Sequence, residues 1–229
     1  PIIFIFVLLA NVYSHSRVAF SRPGSFIRTP SSLIDKLNNK FYFGFSNEWI
    51  STKNNITANA IYFKSSNLNG YEYGISYVKR APINEDSSQP TEFSFHFIKE
   101  LYKKNNFIIN VGIQDIFYEI DNDSQISAFL ALINQKIKIS DDYFIQSTVG
   151  FGTGKIKDDS YDYITPQSSS LDIFVGFQID TPFLSDRGGL QLFTEYDGNG
   201  VNVATQLPMT PKLTLKIGIA HFENFVKFN

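Results

Sequence analysis

Phe107-Ile108-Ile109-Asn110-Val111-Gly112-Ile113-Gln114-Asp115-Ile116-Phe117 is the stretch whose reading decides the fold. Phe107, Ile109, Val111 and Ile113 fall on one side, and Asn110, Gly112 and Gln114 on the other. Successive side chains of a strand point to opposite faces, so such a segment has one apolar and one polar face. About ten residues of this alternation, repeated between turn signals, is the pattern of a membrane-spanning β-barrel strand.

The pattern recurs along the chain. Strands are predicted over Lys40 to Ile50, Ile56 to Lys64, Tyr71 to Lys79, Thr91 to Leu101, Phe107 to Tyr118 and Ile126 to Ile139. They continue over Tyr143 to Lys155, Leu171 to Asp180, Leu190 to Asp197, Val201 to Leu207 and Leu213 to Phe222. Ile126 to Ile139 alternates least well, and period alone leaves a helix open there. Ala81 to Pro90, Glu119 to Gln125 and Ile156 to Ser170 are long and polar, whereas Ser140-Asp141-Asp142 and Ser185-Asp186-Arg187-Gly188-Gly189 are short. Long loops on one rim and tight turns on the other suit an outer-membrane barrel. Asp197-Gly198-Asn199-Gly200 is a hairpin signal, since Gly and Asn accept the positive φ of a primed turn. Pro208 and Pro211 bound the turn that follows.

Composition agrees with lipid contact. Aromatics make up 16% of the 229 residues, with 23 Phe and 12 Tyr against one Trp. Charged residues are 18%, below the roughly 25% of an average soluble domain. A net charge of −2 carries no nucleic-acid footprint. The absence of cysteine excludes disulfides and thiolate metal sites.

At the N-terminus, Ile2 to Ala10 is an apolar run of signal-peptide length, with small residues at Ser14 and Ser16 for cleavage. Residues 1–16 are therefore expected to be a signal peptide, incomplete at its N-terminal side; a buried strand is the alternative. Residues 17–39 lack a steady period and contain the turns Arg22-Pro23-Gly24 and Thr29-Pro30-Ser31-Ser32. They are expected to form a periplasmic lead-in, with one short strand around Ser25 to Arg28 as an option. Residues 40–229 are expected to be the barrel. About eleven strands are read, and single-chain bacterial barrels have even numbers, so the intact protein is expected to have about twelve. Phe222 to Asn229 lacks clean alternation, and the closing strand is expected to be missing from this sequence. The fold expected is thus all-β, an antiparallel up-and-down transmembrane barrel.

The outward set is expected to include Phe41, Phe43, Phe45, Phe93, Phe95, Phe97, Ile173, Val175, Phe177, Leu213, Leu215, Ile217 and Ile219. Glycines at 44, 74, 112, 150, 152, 176 and 218 recur on the inward faces, where they permit curvature and make room for larger neighbours. A lumen filled with side chains is expected rather than an open pore. Glu72, Glu92, His96, Asp172, Asp180, Glu195 and Lys216 are its expected polar lining. Those acids outnumber the one clear base, which would favour cations unless loop Arg or Lys residues cancel them. Tyr62, Tyr71, Tyr77, Tyr118, Tyr143 and Tyr196 are placed near strand ends as girdle aromatics. A soluble barrel or sandwich shows the same alternation with the faces exchanged. The signal-like start, the strand length, and polar faces of Gly, Ser, Asn, Gln and Tyr favour the membrane.

Catalytic signals are thin. Glu92, Ser94 and His96 share a strand face, which admits a lipid hydrolase using His96 and Ser94. Residues two apart on a strand lie about 7 Å apart, however, and the pair faces the lumen. A hydrogen-bonded lumen histidine is the plainer reading; His15 lies by the cleavage site, and His221 at a strand end. Gly150-Phe151-Gly152-Thr153-Gly154-Lys155 fails the phosphate-loop spacing, with Ile156 where Ser or Thr is required. Asp121-Asn122-Asp123 and Asp158-Asp159-Ser160-Tyr161-Asp162 lack EF-hand spacing and read as solvated loops. No catalytic, cofactor-binding or metal-binding residue is assigned.

The chain resembles bacterial outer-membrane β-barrel proteins as a class. Pro23-Gly24-Ser25-Phe26-Ile27-Arg28-Thr29-Pro30-Ser31-Ser32 and Glu195-Tyr196-Asp197-Gly198-Asn199-Gly200-Val201-Asn202-Val203 are similar to stretches of barrels associated with exopolysaccharide production. The resemblance implies a Gram-negative-type envelope and a role in polysaccharide export, with no catalytic residues to carry over. The expected function is a non-enzymatic outer-membrane barrel, structural or assisting passage of solutes or polysaccharide. Its partners would be outer-membrane lipid and, during insertion, periplasmic chaperones and the barrel assembly machinery. A lipid hydrolase, or a soluble β-barrel binding an apolar ligand, is the alternative.

Overall fold

A computed structural model describes residues 19–22, 25–30, 41–51, 56–67, 69–80, 91–117, 127–140, 142–153, 172–198, 200–210, 212–220 and 222. Residues 1–16, expected to be a signal peptide and including His15, residues 31–39, the polar segments at 81–90, 119–125 and 156–170, and His221 lie outside them.

Each alternating segment forms a strand. They are β1 (Phe41–Ser51), β2 (Ile56–Ser66), β3 (Tyr71–Arg80), β4 (Thr91–Lys104), β5 (Phe107–Phe117), β6 (Ser127–Ser140), β7 (Tyr143–Gly152), β8 (Asp172–Asp180), β9 (Gln191–Tyr196), β10 (Val201–Thr210) and β11 (Leu213–Ile219). The segment where a helix was left open is thus a strand, β6. All eleven belong to one antiparallel sheet in which every strand bonds its sequence neighbours. Asp197 to Gly200 makes the expected hairpin. Gly198 has φ +101, and the Gly200 N–H donates to Asp197 Oδ1 at 3.0 Å. The link from β8 to β9 is longer than Ser185 to Gly189 alone. It spans 181–190, stapled by Thr181 N–H to Leu190 O (3.0 Å) and Leu190 N–H to Phe183 O (2.8 Å).

The sheet is rolled. Ten strand spacings of about 4.8 Å would hold β1 and β11 nearly 50 Å apart if it were flat. Yet Ala19 N–H donates to Glu48 Oε2 on β1 at 2.8 Å. The ring of the next residue, Phe20, lies 3.3 Å from where a Cβ on Gly218 of β11 would stand. Among the described residues no ladder joins β11 back to β1.

Polarity is distributed inside out. On the convex face Phe41, Phe43 and Phe45 are 70%, 75% and 65% exposed, and Phe95, Ile113, Phe151, Ile173, Leu213, Leu215 and Ile217 are exposed too. The concave face buries Glu72, Ser76, Ser94, His96, Asn110, Gln114, Gln146, Thr148 and Glu195. Small apolar clusters fill the space between them, such as Ile98, Phe129, Ala131 and Phe174. Inward glycines make that packing possible: Phe129 occupies the Cβ space of Gly112, and Phe174 that of Gly150. Tyr62 is a correction. Expected at the girdle, it turns inward, because its ring fills the space that Gly44 leaves on the neighbouring strand.

Candidate functional site

The residues before β1 were expected to be a lead-in, with a short strand around Ser25 to Arg28 as an option. Those described, 19–22 and 25–30, form a tight turn inside the trough. Phe20 N–H bonds Ile27 O (2.7 Å), Phe26 N–H bonds Thr29 O (3.0 Å), and Ser25 forms an isolated bridge with Pro30. The turn is aperiodic because its own backbone bonds, not a ladder, set its shape. Its apolar members complete a cluster of Phe26, Ile27, Phe193 and Ala204, with Ala19 and Phe20 against it. Phe26 sits over Gly176, 2.7 Å from where a Cβ would lie, and meets Phe193 edge-on at 5.9 Å.

Charge fixes the turn to the wall. Arg22 Nε donates to Asp115 Oδ1 on β5 at 2.5 Å, and another Arg22 nitrogen lies 3.7 Å from Glu92 on β4. Arg28 pairs with Glu48 on β1 at 2.5 Å. Glu195 on β9 gathers the backbone: its carboxylate accepts from the N–H groups of Ile27 (3.1 Å), Arg28 (2.7 Å) and Thr29 (3.2 Å), and from Thr29 Oγ1 (2.8 Å). Consecutive N–H groups converging on one anion form a nest, a backbone arrangement that binds negative charge. Asn202 Nδ2 bridges the same carboxylate (2.9 Å) to Asp197 (2.7 Å). The turn at 25–30 and the hairpin of β9 and β10 therefore touch each other.

A β-bulge supplies one of these partners. Strict alternation would send Asp115 to the convex face with Ile109, Val111 and Ile113. The ladder slips there, however: Phe95 faces Ile116 and Phe97 faces Ile113, so Gln114 and Asp115 together oppose His96. Asp115 has φ +59, and both Gln114 and Asp115 are fully buried. Re-aiming a side chain is what such a bulge does, and Asp is among the few residues that tolerate positive φ.

The other expected lining residues take these places. Glu72 is buried and accepts from Lys64 Nζ at 3.0 Å. Asp180 accepts from Gln178 (2.7 Å) and Gln191 (2.9 Å). Lys216 Nζ stands 5.5 Å from the ring centroids of Phe20 and Phe193. Asp172 lies in β8 opposite Gly152, its side chain outside the described set. His96 does not meet Ser94. Its Nε2 is 2.8 Å from Ser76 Oγ on β3, and its Nδ1 accepts from the Asp115 backbone N–H at 3.4 Å. An acceptor Nδ1 leaves the proton on Nε2 in the neutral ring, opposite to what a general base facing a serine needs.

Arg22, Arg28, Glu48, Asp115 and Asn202 were missed by the sequence reading. Glu48 was legible, since it continues the inward Tyr42-Gly44-Ser46 register; Asp115 left only the trace of a carboxylate in an apolar row. Among the described residues no group of His, Asp and Glu is placed to hold a metal ion. Comparison of the chain with family models, with curated proteins and with solved structures finds no match.

Proposed function

We propose that this chain is a non-enzymatic outer-membrane β-barrel protein whose interior is occupied by its own residues 19–22 and 25–30, and that it serves passage of solutes or polymer across the envelope. The observation that carries this reading is the inverted polarity of the rolled sheet. Rings and aliphatic side chains cover its convex face, while ion pairs and amides fill its concave side. Soluble proteins seldom expose contiguous apolar patches above a few hundred Å². In hydrocarbon the same surface costs nothing, and every strand face is then matched to its medium. Hydrocarbon also tolerates no open sheet edge, so β1 and β11 call for closure by one further strand, giving an even count of about twelve. Outer-membrane lipid is then the main partner, with periplasmic chaperones and the assembly machinery acting during insertion. The resemblance of the 23–32 and 195–203 stretches to exopolysaccharide-associated barrels adds polysaccharide to the candidate cargo.

The alternatives draw less support. An apolar ligand would find Arg22, Arg28, Glu48 and Glu195 in the interior. A hydrolase built on Ser94 and His96 would need a contact that His96 makes with Ser76 instead. The test is refolding of the chain into lipid vesicles. A protease-resistant species whose electrophoretic mobility changes on boiling is expected. A monodisperse, soluble chain in detergent-free buffer would overturn the proposal.

A further inference from the structure

The two rims of the sheet differ. In an antiparallel meander, ends of odd strands and starts of even strands share one rim, and here it includes the long connections 81–90, 118–126 and 153–171. The plug formed by residues 19–22 and 25–30 holds carboxylates of that half: Glu48 late in β1, Glu92 at the start of β4, Asp115 late in β5 and Glu195 late in β9. The opposite rim carries the short turns 67–70, 105–106, 141–142 and 211–212 and the 181–190 link. Its outward face is a different surface, apolar and basic.

Length sets that surface off. About 9–11 tilted residues cross the hydrocarbon, whereas β4 and β6 each run 14. The surplus lies on the short-turn side, because the last four residues of each, 101–104 and 137–140, are exposed on both faces. A bulge marks where β4 leaves the wall. Glu100 faces Asn110 and Tyr102 faces Ile109, so Leu101 is the extra residue. Tyr102 and Lys104, the ladder partners of Ile109 and Phe107, then stand on the outward side, with Leu101 58% and Tyr102 48% exposed. Glu100 falls on the inward side with Asn110, and among the described residues of β3 to β5 this outward strip holds no carboxylate.

Lys99 anchors the strip on the barrel side. It stands opposite Tyr71 in the ladder, with its ammonium 3.6 Å from the centre of the Tyr71 ring and donating to Asn69 O at 2.7 Å. Tyr71 in turn stacks on Tyr73 at 6.2 Å and leans on Phe97 at 5.7 Å. An ammonium has three donors, so a lysine held in this way still has an N–H for an anion. Aromatic rings of this kind sit at the headgroup level of a bilayer. Resting on the outer-membrane reading above, we infer that the outward strip from Lys99 to Lys104 is a binding surface for anionic phospholipid in the leaflet that meets the short turns. The acyl chains lie along Tyr73 and Phe97, Leu101 and Tyr102 sit among the headgroups, and Lys99 and Lys104 donate to phosphate. Charge complementarity selects the occupant: each lysine near a surface of anionic lipid adds to binding, whereas a zwitterionic lipid offers no net charge to attract it.

The experiment refolds the full chain into vesicles of equal parts phosphatidylglycerol and phosphatidylcholine with the same acyl chains. Folding of every variant is checked by its boiling-dependent mobility, and the lipid retained after extraction in mild detergent is counted by native mass spectrometry. Wild type is expected to retain phosphatidylglycerol over phosphatidylcholine by about tenfold. Lys99→Gln with Lys104→Gln should bring that preference to within about twofold of parity. Lys104→Gln alone, on the part of β4 exposed on both faces, should cut it at least about threefold, and keeps the inference testable if the double variant fails to fold. Lys79→Gln, an exposed lysine opposite Thr91 on the other rim, should leave it nearly unchanged. Equal retention of the two lipids by wild type, or an equal loss of preference in Lys79→Gln, would overturn the inference alone. So would a wild-type dimer that carries no lipid, since the strip would then belong to a second copy. Failure of wild type to insert at all would instead remove the outer-membrane reading beneath it.

Discussion

Glu195→Gln probes the nest directly. The carboxylate accepts four hydrogen bonds from residues 27–29, at 2.7 to 3.2 Å. Oε2 accepts three of those four and Oε1 one, so a glutamine that keeps its carbonyl at the Oε2 position strands two donors, the Arg28 N–H and one N–H of Asn202. Each buried donor left unsatisfied costs about 1–3 kcal/mol, or about 2–6 kcal/mol for the pair. Asp197 shares Asn202 with Glu195, and relief of repulsion between the two carboxylates trims the upper end, leaving about 2–4 kcal/mol. At 1.4 kcal/mol per factor of ten, the plug should stand open about 30- to 1,000-fold more often. Trypsin reads this opening at the Arg28–Thr29 bond, since Arg28 is 1% exposed when seated, while Arg22 precedes Pro23 and resists cleavage. Where reclosing is fast, cleavage tracks the open population. A cleavage rate within about twofold of wild type, in a variant whose barrel remains folded, would refute the role given to the nest.

Phe26→Ala should loosen the same plug through packing: a buried Phe truncation costs about 3–5 kcal/mol, and cleavage after Arg28 should accelerate comparably. Unchanged protection would mean that the contact with Gly176 and Phe193 does not hold the turn. Phe45→Lys, mid-strand on the exposed face, should lower the yield of folded protein in vesicles, because a lysine on the lipid face costs about 2–4 kcal/mol near the bilayer midplane. Were the convex face in contact with water instead, the change would be neutral or would raise solubility. His96→Ala and Ser94→Ala should leave phospholipid turnover at background in vesicles. Hydrolysis by wild type that both variants abolish would restore the hydrolase.

The sheet was legible because strand periodicity is a local property. Each of the eleven segments carries its two faces in its own residues, and even β6 settles as a strand between β5 and β7, whose alternation is stronger. Glycine placement was legible for the same reason, since Gly112 and Gly150 stand in the register of their inward neighbours. The plug was not. Residues 19–30 have no period to read, and Pro23, Gly24 and Pro30 look alike whether a turn lies in water or inside a trough. Asp115 was hidden by a single inserted residue, which reverses the face of everything beyond it without changing composition. Tyr62 shows the limit of placing aromatics by type: the space beside it, left by Gly44 on another strand, decided its direction.

The reach of the plug's contacts has a consequence for the order in which the molecule assembles. Every strand pairs with the one before it, so the sheet can grow by adding hairpins, each closing a short loop. The turn at 19–22 and 25–30 grips partners 93 residues away at Asp115 and 168 away at Glu195. Those partners do not exist as a surface until β9 has joined. The first residues of this region to be synthesised are therefore among the last to find their place, and their docking should appear as a separate, late kinetic phase that tracks β9 and not β1.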